Sequence, residues 1–438
     1  MSNTFSNKYI RSIDANRTLK DSIIKSIYSN RSRSRVSVTD LVSPMQSFYR
    51  RTRPDINPSM NKVQNMLAGT GFHDLFGQVI SEEEFLEQLV EYQGVVGKID
   101  IYDDIPIEIK TTSKIPSNLY KYRSSYFDQL GMYCAMTNET KGRLIIYERK
   151  NNNKYSKLKI IDVEFLNIEK IQQEIIEIRD DFKEALSTKD NSKLPKCEWF
   201  FQGCDYRSIC RCKDMQDSSP LIMEDEIEIV ERDDLIEEIK SYEMPQYSDT
   251  DKFIINDLVF PRKAILKRKS NQVKVNEESD YLFNNIYTLE KQGFRAALND
   301  SLKYGFKEDY KTIEVRLESI IDKVDLLFDI PTILRTNSNS SMIDRNKLAE
   351  FFPHYFDRLA IECAIMNIQK GRLILYYDKI PNDKFMVYDV IFHSRDNILK
   401  ESKHRLDLLE NNAVHGDLPK CPPWMFKFCD FQSECACE

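Results

Sequence analysis

Glycine is scarce, at 12 residues in 438, under 3% against an average near 7%. No GxxxxGK[ST] loop occurs, which excludes a phosphate-cradling ATP site of that kind. No run approaches the ~20 apolar residues a membrane span needs. The N-terminus, MSNTFSNKYIRSIDANR, has neither an apolar core nor a small-residue cleavage site, so no secretory signal is read and a cytoplasmic location without a membrane partner is expected. What is present is a globular composition, 41% hydrophobic and 30% charged with a net charge of −7. At roughly 100–200 residues per domain, the length allows two to four domains. Ten cysteines are too few for a disulfide-dense scaffold, and grouped thiols in a reducing compartment point to metal or reactive chemistry.

The cysteines reveal an internal repeat. Eight fall into two clusters, Cys197, Cys204, Cys210, Cys212 and Cys421, Cys429, Cys435, Cys437, spaced C-x6-C-x5-C-x-C and C-x7-C-x5-C-x-C. Each cluster follows Leu-Pro-Lys and encloses one of the two tryptophans, Trp199 or Trp424. Upstream, GKIDIYDDIPIEIKTTS (97–113) aligns without gaps to DKVDLLFDIPTILRTNS (322–338). YFDQLGMYCAM (126–136) likewise matches YFDRLAIECAI (355–365), and KGRLIIYERK (141–150) matches KGRLILYYDK (370–379). The remaining cysteines, Cys134 and Cys363, fall at equivalent positions. Weaker matches pair VTDLVSP (38–44) with INDLVFP (255–261), and GFHDLF (71–76) with GFRAAL (293–298). One module of about 200 residues is used twice.

Charge is segregated along the chain. Residues 224–238 hold nine acidic side chains in fifteen, as an exposed acidic helix or a loose linker. They place a connector at 216–250 between a first module at 1–215 and a second at 251–438. Residues 1–53 carry eleven Lys or Arg against three Asp. Such an arm contacts phosphates even in an acidic chain, because binding responds to the local field, or it is a solvated basic face.

The segment 98–111 alternates as a β-hairpin: KIDIY, a DDIP turn, then IEIKT. Glu108 and Lys110 project from one face of the second strand, and Asp100 lies across on its partner. Adjacent carboxylates repel unless a cation sits between them, and hard oxygen ligands suit Mg²⁺ or Mn²⁺. Lys110 beside such an ion would orient or deprotonate a water and offset charge building on a phosphate. A salt-bridged surface hairpin would show the same D-x7-E-x-K pattern, so the neighbouring motifs matter. GTGFHDLF puts His73 at the start of a helix after a glycine-containing approach. YFDQLGMYCAM is a helix with Gln129 and Tyr133 one turn apart on one face.

His, then Asp, then Glu-x-Lys, then Gln-x3-Tyr, then a C-terminal cysteine cluster resembles the motif order of the RecB-like branch of the PD-(D/E)XK nuclease superfamily. That branch includes the CRISPR-associated adaptation nucleases and the AddB-type nuclease domains. The resemblance spans residues 36–212. It implies an α/β fold of two tandem restriction-endonuclease-like modules, each a mixed central sheet flanked by helices with a C-terminal metal cluster of four cysteines. It further implies a Mg²⁺- or Mn²⁺-dependent deoxyribonuclease that hydrolyses phosphodiester bonds at the first module. There His73, Asp100, Glu108 and the Ile109 main-chain carbonyl would bind the metal, and Lys110 would be the catalytic lysine. Gln129 and Tyr133 would arrange the active site and DNA. The implied partners are DNA, single-stranded or with single-stranded ends, and a helicase or adaptation-complex protein. The alternative is a non-catalytic DNA-binding or scaffold subunit of a repair or adaptation complex; intact His73, Asp100, Glu108 and Lys110 argue against it.

Iron–sulfur members of this branch take one cysteine from a segment N-terminal to the histidine. Here that segment reads TDLVSPMQSFYRR, with Ser43 at the position, and the second copy has Phe260. Each C-terminal cluster still supplies four thiolates, with Cys212 placed to replace the missing ligand, a set suited to one iron–sulfur cluster or one Zn²⁺ per module. In the second module His73 becomes Arg295, Glu108 becomes Ile333, Lys110 becomes Arg335, Gln129 becomes Arg358 and Tyr133 becomes Glu362. Only Asp325 keeps the carboxylate of Asp100, and no catalytic metal is expected there. The arginines either bind phosphates or pair with Asp325 and Glu362, leaving an inactive structural, DNA-binding or partner-binding copy.

Overall fold

The chain opens with strand β1 (Ile10–Ala15) and helix α1 (Arg17–Ser29). Then come β2 (Val36–Ser37), α2 (Val38–Val42), α3 (Pro44–Thr52), the long α4 (Met60–Ile80), β3 (Leu86–Tyr92), β4 (Val95–Asp103) and β5 (Ile105–Thr112). They are followed by α5 (Leu119–Thr137), β6 (Lys141–Glu148), β7 (Leu158–Phe165), α6 (Ile168–Thr188), β8 (Ile227–Glu231) and α7 (Asp233–Lys240). The later half holds α8 (Ile255–Val259), α9 (Pro261–Ser270), α10 (295–305), β9 (Tyr310–Leu317), β10 (Ile320–Leu327) and β11 (Ile330–Asn337). It closes with α11 (Leu348–Phe351), α12 (Pro353–Ile365), β12 (Lys370–Tyr377), β13 (Phe385–Phe392) and α13 (Arg395–Glu410). A computed structural model describes residues 8–29, 35–56, 60–148, 158–197, 204–215, 220–240, 253–270, 295–337, 339, 341–377, 380, 385–411 and 418–420.

These elements form two mixed sheets flanked by helices, in two compact units. The first unit takes Tyr28–Gln246 with Glu278–Ala297; the second takes Met1–Ile27, Tyr247–Glu277 and Leu298–Glu438. Among the described residues, no helix is long and apolar enough to cross a membrane.

In the first unit the strand order is β2-β4-β5-β6-β7-β8, with β3 paired to β4. Strands β5 and β6 run parallel, joined by the α5 crossover, and β6 carries the buried apolar run Leu144, Ile145, Ile146 and Tyr147 because both its faces are covered there. By contrast β3 (LEQLVEY) alternates half-buried and exposed residues, as an edge strand does. Gln93 and Gly94, at φ 49° and 76°, make the two-residue turn into β4. Helix α5 starts where the Asn118 side chain accepts from the Lys121 N–H and stops at left-handed Asn138. It lies close on β6: a Cβ on Gly142 would stand 2.8 Å from the Cys134 Sγ. Cys134 is therefore a packing thiol. The core lies between sheet and helices, with Leu130, Ile146, Val163, Ile175 and Phe182 buried in it.

The second unit's order is β1-β13-β12-β11-β10-β9, again with one parallel pair, β11 with β12. Its Gly371 meets Cys363 Sγ at the same 2.8 Å. Phe356, Leu359, Leu373, Val390 and Leu406 fill its core.

Two segments differ from the sequence reading. The sequence places the basic N-terminal arm in the first module, 1–215, yet β1 pairs antiparallel with β13, Ile13 opposite Val390, and residues Met1–Ile27 belong to the second unit. The acidic stretch of the 216–250 connector is neither a plain helix nor a linker; it supplies β8, antiparallel to β7, and then α7. The physical reason is the open edge of each sheet, whose backbone donors and acceptors need a partner strand. Both completions end alike. Just beyond β8, Arg232 donates to Asp162, which also accepts from Arg143 Nε at 2.6 Å. Just beyond β1, Asn16 Nδ2 donates to Asp389 at 3.0 Å, and Asp389 accepts from Arg372 Nε at 2.9 Å. The strand and helix that precede each core in sequence thus complete the sheet of the other.

Candidate active site

Strand alternation turns Glu108 and Lys110 on β5 to one side, toward Asp100 on β4. Helix α4 brings His73, and α5 brings Gln129 and Tyr133, to line a cavity of about 860 Å³ with them. His73 does not open a helix, as the glycines before it suggested; it sits well inside α4, which runs Met60–Ile80 through Gly69 and Gly71. The helix continues because it packs tightly on the sheet, where a Cβ on Gly69 would stand 3.2 Å from Thr111 Oγ1. The Ile109 side chain is buried with Phe72, Phe76 and Tyr147. Its N–H donates to Asp100 Oδ2 at 2.8 Å.

The polar groups form one network. His73 Nδ1 lies 3.4 Å from Asp100 Oδ2. Lys110 Nζ pairs with Glu108 Oε1 and donates to Gln129 Oε1 at 2.8 Å. Gln129 Nε2 donates to Glu108 Oε1 at 2.8 Å and approaches Tyr133 Oη at 3.2 Å. Lys110 also stands 5.6 Å over the ring of Tyr126, a contact that sequence spacing did not flag. Burial, then the neighbouring Asp100 charge, pushes the Glu108 carboxyl up to about 7. Burial also works against the Asp100 carboxylate, but His73, Lys110 and the Ile109 N–H outweigh it and hold that group below its ordinary value. Lys110 is likewise kept protonated by Glu108 and Asp100 despite its burial.

Among the described residues, no three or more His, Cys, Asp or Glu side chains form a ready-made group for a metal ion, neither around Glu108 nor among Cys197, Cys204, Cys210 and Cys212; His73 and Lys110 engage the two carboxylates instead. The donor chemistry nevertheless fits a hard divalent cation. Glu108 is 3% exposed, and its Oε2 is buried without a hydrogen-bond partner. Leaving such an oxygen unmet costs about 1–3 kcal/mol, a penalty that a cation shared with Asp100 would relieve.

The four thiols of the first cluster, Cys197, Cys204, Cys210 and Cys212, are buried and free of disulfides. The Cys197 N–H donates to Cys212 Sγ at 3.5 Å, and the Cys212 N–H donates to Cys210 Sγ at 3.4 Å. Hydrogen bonds from the Cys197 and Cys210 thiols hold the Cys212 thiol below its ordinary value, and the same contacts push those two thiols up. Helix α3 packs against this group: Tyr49 stacks on Tyr206 at 5.7 Å and donates to the Ile209 carbonyl. Ser43, buried, occupies the N-cap position of that helix without a side-chain capping bond. Cys421, Cys429, Cys435 and Cys437 lie outside the described residues, as do both tryptophans.

The aligned positions of the second unit hold different chemistry. Asp325 accepts from Thr312 Oγ1 at 2.6 Å, and Ile333 is buried. Arg335 donates to the Leu334 carbonyl and lies 5.5 Å over the Tyr355 ring. Arg358 pairs with Glu362 at 2.7 Å, as one reading of the sequence proposed, but its second carboxylate is Asp322 at 3.7 Å. Arg295, half-buried at the start of α10, falls in the stretch Glu278–Ala297 that groups with the first unit and not, as the sequence places it, with the second module. Asp322 stands where the first unit has Gly97, a substitution visible in the aligned segments.

No family model and no curated protein matches the chain. Among solved structures, one titled "Crystal structure of SSO0001" is similar at 17% identity over 45% of this chain and 98% of its own, with a TM-score of 0.30. A likeness of that size bears on neither fold nor function.

Proposed function

We propose that the first unit is a Mg²⁺- or Mn²⁺-dependent deoxyribonuclease of the RecB-like PD-(D/E)XK kind, and that the second is a catalytically inactive copy of the same module. The observation that carries this reading is the convergence of Asp100, Glu108, Lys110 and Gln129 on one cavity, with Glu108 Oε2 buried and unmet. His73, Asp100, Glu108 and the Ile109 carbonyl are the groups that would hold the ion. When bound, the ion supplies positive charge against the phosphate and acidifies a water molecule.

The chain's own residues do the rest. Lys110, protonated and held between Glu108 and Gln129, is placed to donate to a phosphate oxygen as negative charge develops on it. Gln129 binds both Lys110 and Glu108 and so fixes their separation. In the second unit the Arg358–Glu362 pair stands in place of Gln129 and Tyr133, which supports a scaffold role there. The four buried thiols of the first unit suit one iron–sulfur cluster or one Zn²⁺; absorbance at about 400 nm, against stoichiometric zinc, separates the two.

The test is cleavage of labelled single- and double-stranded DNA by the full chain in Mg²⁺, Mn²⁺ or EDTA. Glu108→Ala and Lys110→Ala should each lower the metal-dependent rate by about 10²–10⁴-fold. Equal rates in the parent protein and both variants would reject the assignment.

A further inference from the structure

Two large apolar side chains stand on the rim of the candidate active site. Leu89, on edge strand β3, is 81% exposed, and Met66, on α4, is 49% exposed; both line the cavity that holds Glu108 and Lys110. A single exposed leucine needs no explanation. Two things set Leu89 apart. It shares the mouth of a charged cavity with a second apolar residue from a different element. It is also absent from the inactive copy: Leu89 sits opposite Lys98 in the β3–β4 ladder, and the aligned Lys323 sits opposite Glu314 in the β9–β10 ladder. The exposed apolar residue accompanies the intact catalytic cluster, and a carboxylate replaces it where that cluster is gone.

The same rim carries Arg35, paired with Glu91 at 3.3 Å, and Lys98, paired with Glu87. Exposed pairs of this sort contribute little and exchange readily for other anions. The mouth therefore offers cations for phosphates and apolar side chains for something flat and poorly hydrated.

Resting on the nuclease reading, we propose that Leu89 and Met66 contact an unpaired base next to the scissile phosphate, and that they make the site selective for single-stranded DNA over a blunt duplex. A strand whose backbone reaches Lys110 enters the cavity whose lining also includes Leu89 and Met66. In a single strand the bases are free to meet Leu89 and Met66, whereas in an intact duplex they are held in the stack.

The experiment measures binding of a short oligothymidylate carrying one 2-aminopurine to the full chain, with cleavage suppressed by EDTA, and of a blunt duplex of the same length. Leu89→Gln, an uncharged counterpart of the glutamate in the second copy, and Met66→Gln should each weaken single-strand binding roughly tenfold. They should also reduce the 2-aminopurine fluorescence change while leaving duplex binding and thermal stability as in the parent. Unchanged affinity and fluorescence in both variants would overturn the proposal. So would an equal loss on the duplex, or no single-strand binding by the parent protein. The nuclease reading fails on a separate measurement, metal-dependent cleavage by the parent, so the two failures are distinguishable.

Discussion

Tyr133 packs directly on Gly97: a Cβ on Gly97 would stand 2.7 Å from the tyrosine Cε1 and 3.1 Å from Val90 Cγ2. That close approach lets the hydroxyl sit at Gln129, which in turn spans Lys110 and Glu108. In the second unit the three aligned positions are Asp322, Arg358 and Glu362, an ion-paired set in place of a glycine, an amide and a phenol. Gly97→Ala should therefore push the ring aside. For the proposed nuclease activity the expected result is a loss of about 10²-fold in kcat, from misplacement of Gln129 and Lys110, with a stability cost of about 1–3 kcal/mol. Cleavage kinetics beside a urea titration check it; an unchanged kcat would mean that the Tyr133 position does not govern Gln129.

The Glu108–Lys110 pair predicts unequal stability effects. Glu108 sits beside Asp100 with one oxygen unmet, so Glu108→Gln removes a crowded buried charge and should leave stability within about 1 kcal/mol of the parent. Lys110→Met removes the cation that faces both carboxylates and should cost about 3–5 kcal/mol. Urea unfolding of the two variants at neutral pH decides this; equal losses would show that the pair acts only as a local salt bridge.

How much of this was readable from the chain depends on whether the code was local. The Asp100–Glu108–Lys110 arrangement was, because period-two alternation dictates which strand residues share a face. The kinship of Cys134 with Cys363 was too, and each proves to pack against a glycine of the following strand. The course of α4 was not, since Gly69 and Gly71 read as a helix approach, whereas the helix runs through both and packs Gly69 against Thr111. Nor was the partner of β1. A six-residue strand carries too little pattern to specify which open edge it joins, and nine acidic residues in 224–238 masked the strand β8.

The β1 pairing makes the N-terminal segment a structural part of the second unit. Tyr9, Ile10 and Ile13 pack against its core, and the Asn16 side chain both accepts from the Leu19 N–H at the start of α1 and donates to Asp389. Deleting residues 1–29 should leave β13 unpaired along one edge and speed amide exchange over 385–392, while β7 of the first unit, paired to β8, keeps its protection. A peptide spanning 8–29, added in trans, should restore protection of β13. Asn16→Ala should weaken the same region by about 1 kcal/mol through loss of the cap. Faster exchange in β7 instead of β13 would contradict the pairing.

His354, at the start of α12, gives the second unit an acid sensitivity. The imidazole packs near Phe260 and Tyr355, with ring centroids 5.8 and 4.2 Å away. Burial, aided by the Arg335 charge, pushes its pKa down to about 3 from an ordinary 6.5. An unfolded chain therefore binds a proton at this residue below pH 6.5, whereas the folded chain does not until near pH 3. Between those values the unfolded state holds more protons, so stability is full above 6.5 and falls as the pH is lowered, by at most about 1.4 kcal/mol per pH unit from this group. Urea unfolding followed through exchange of α12, at about pH 5 and about pH 7.5, should show that loss in the parent protein. His354→Gln cannot take up the proton and should show a shallower pH dependence over the same interval; parallel curves for the two proteins would mean that the histidine is already protonated in the folded state.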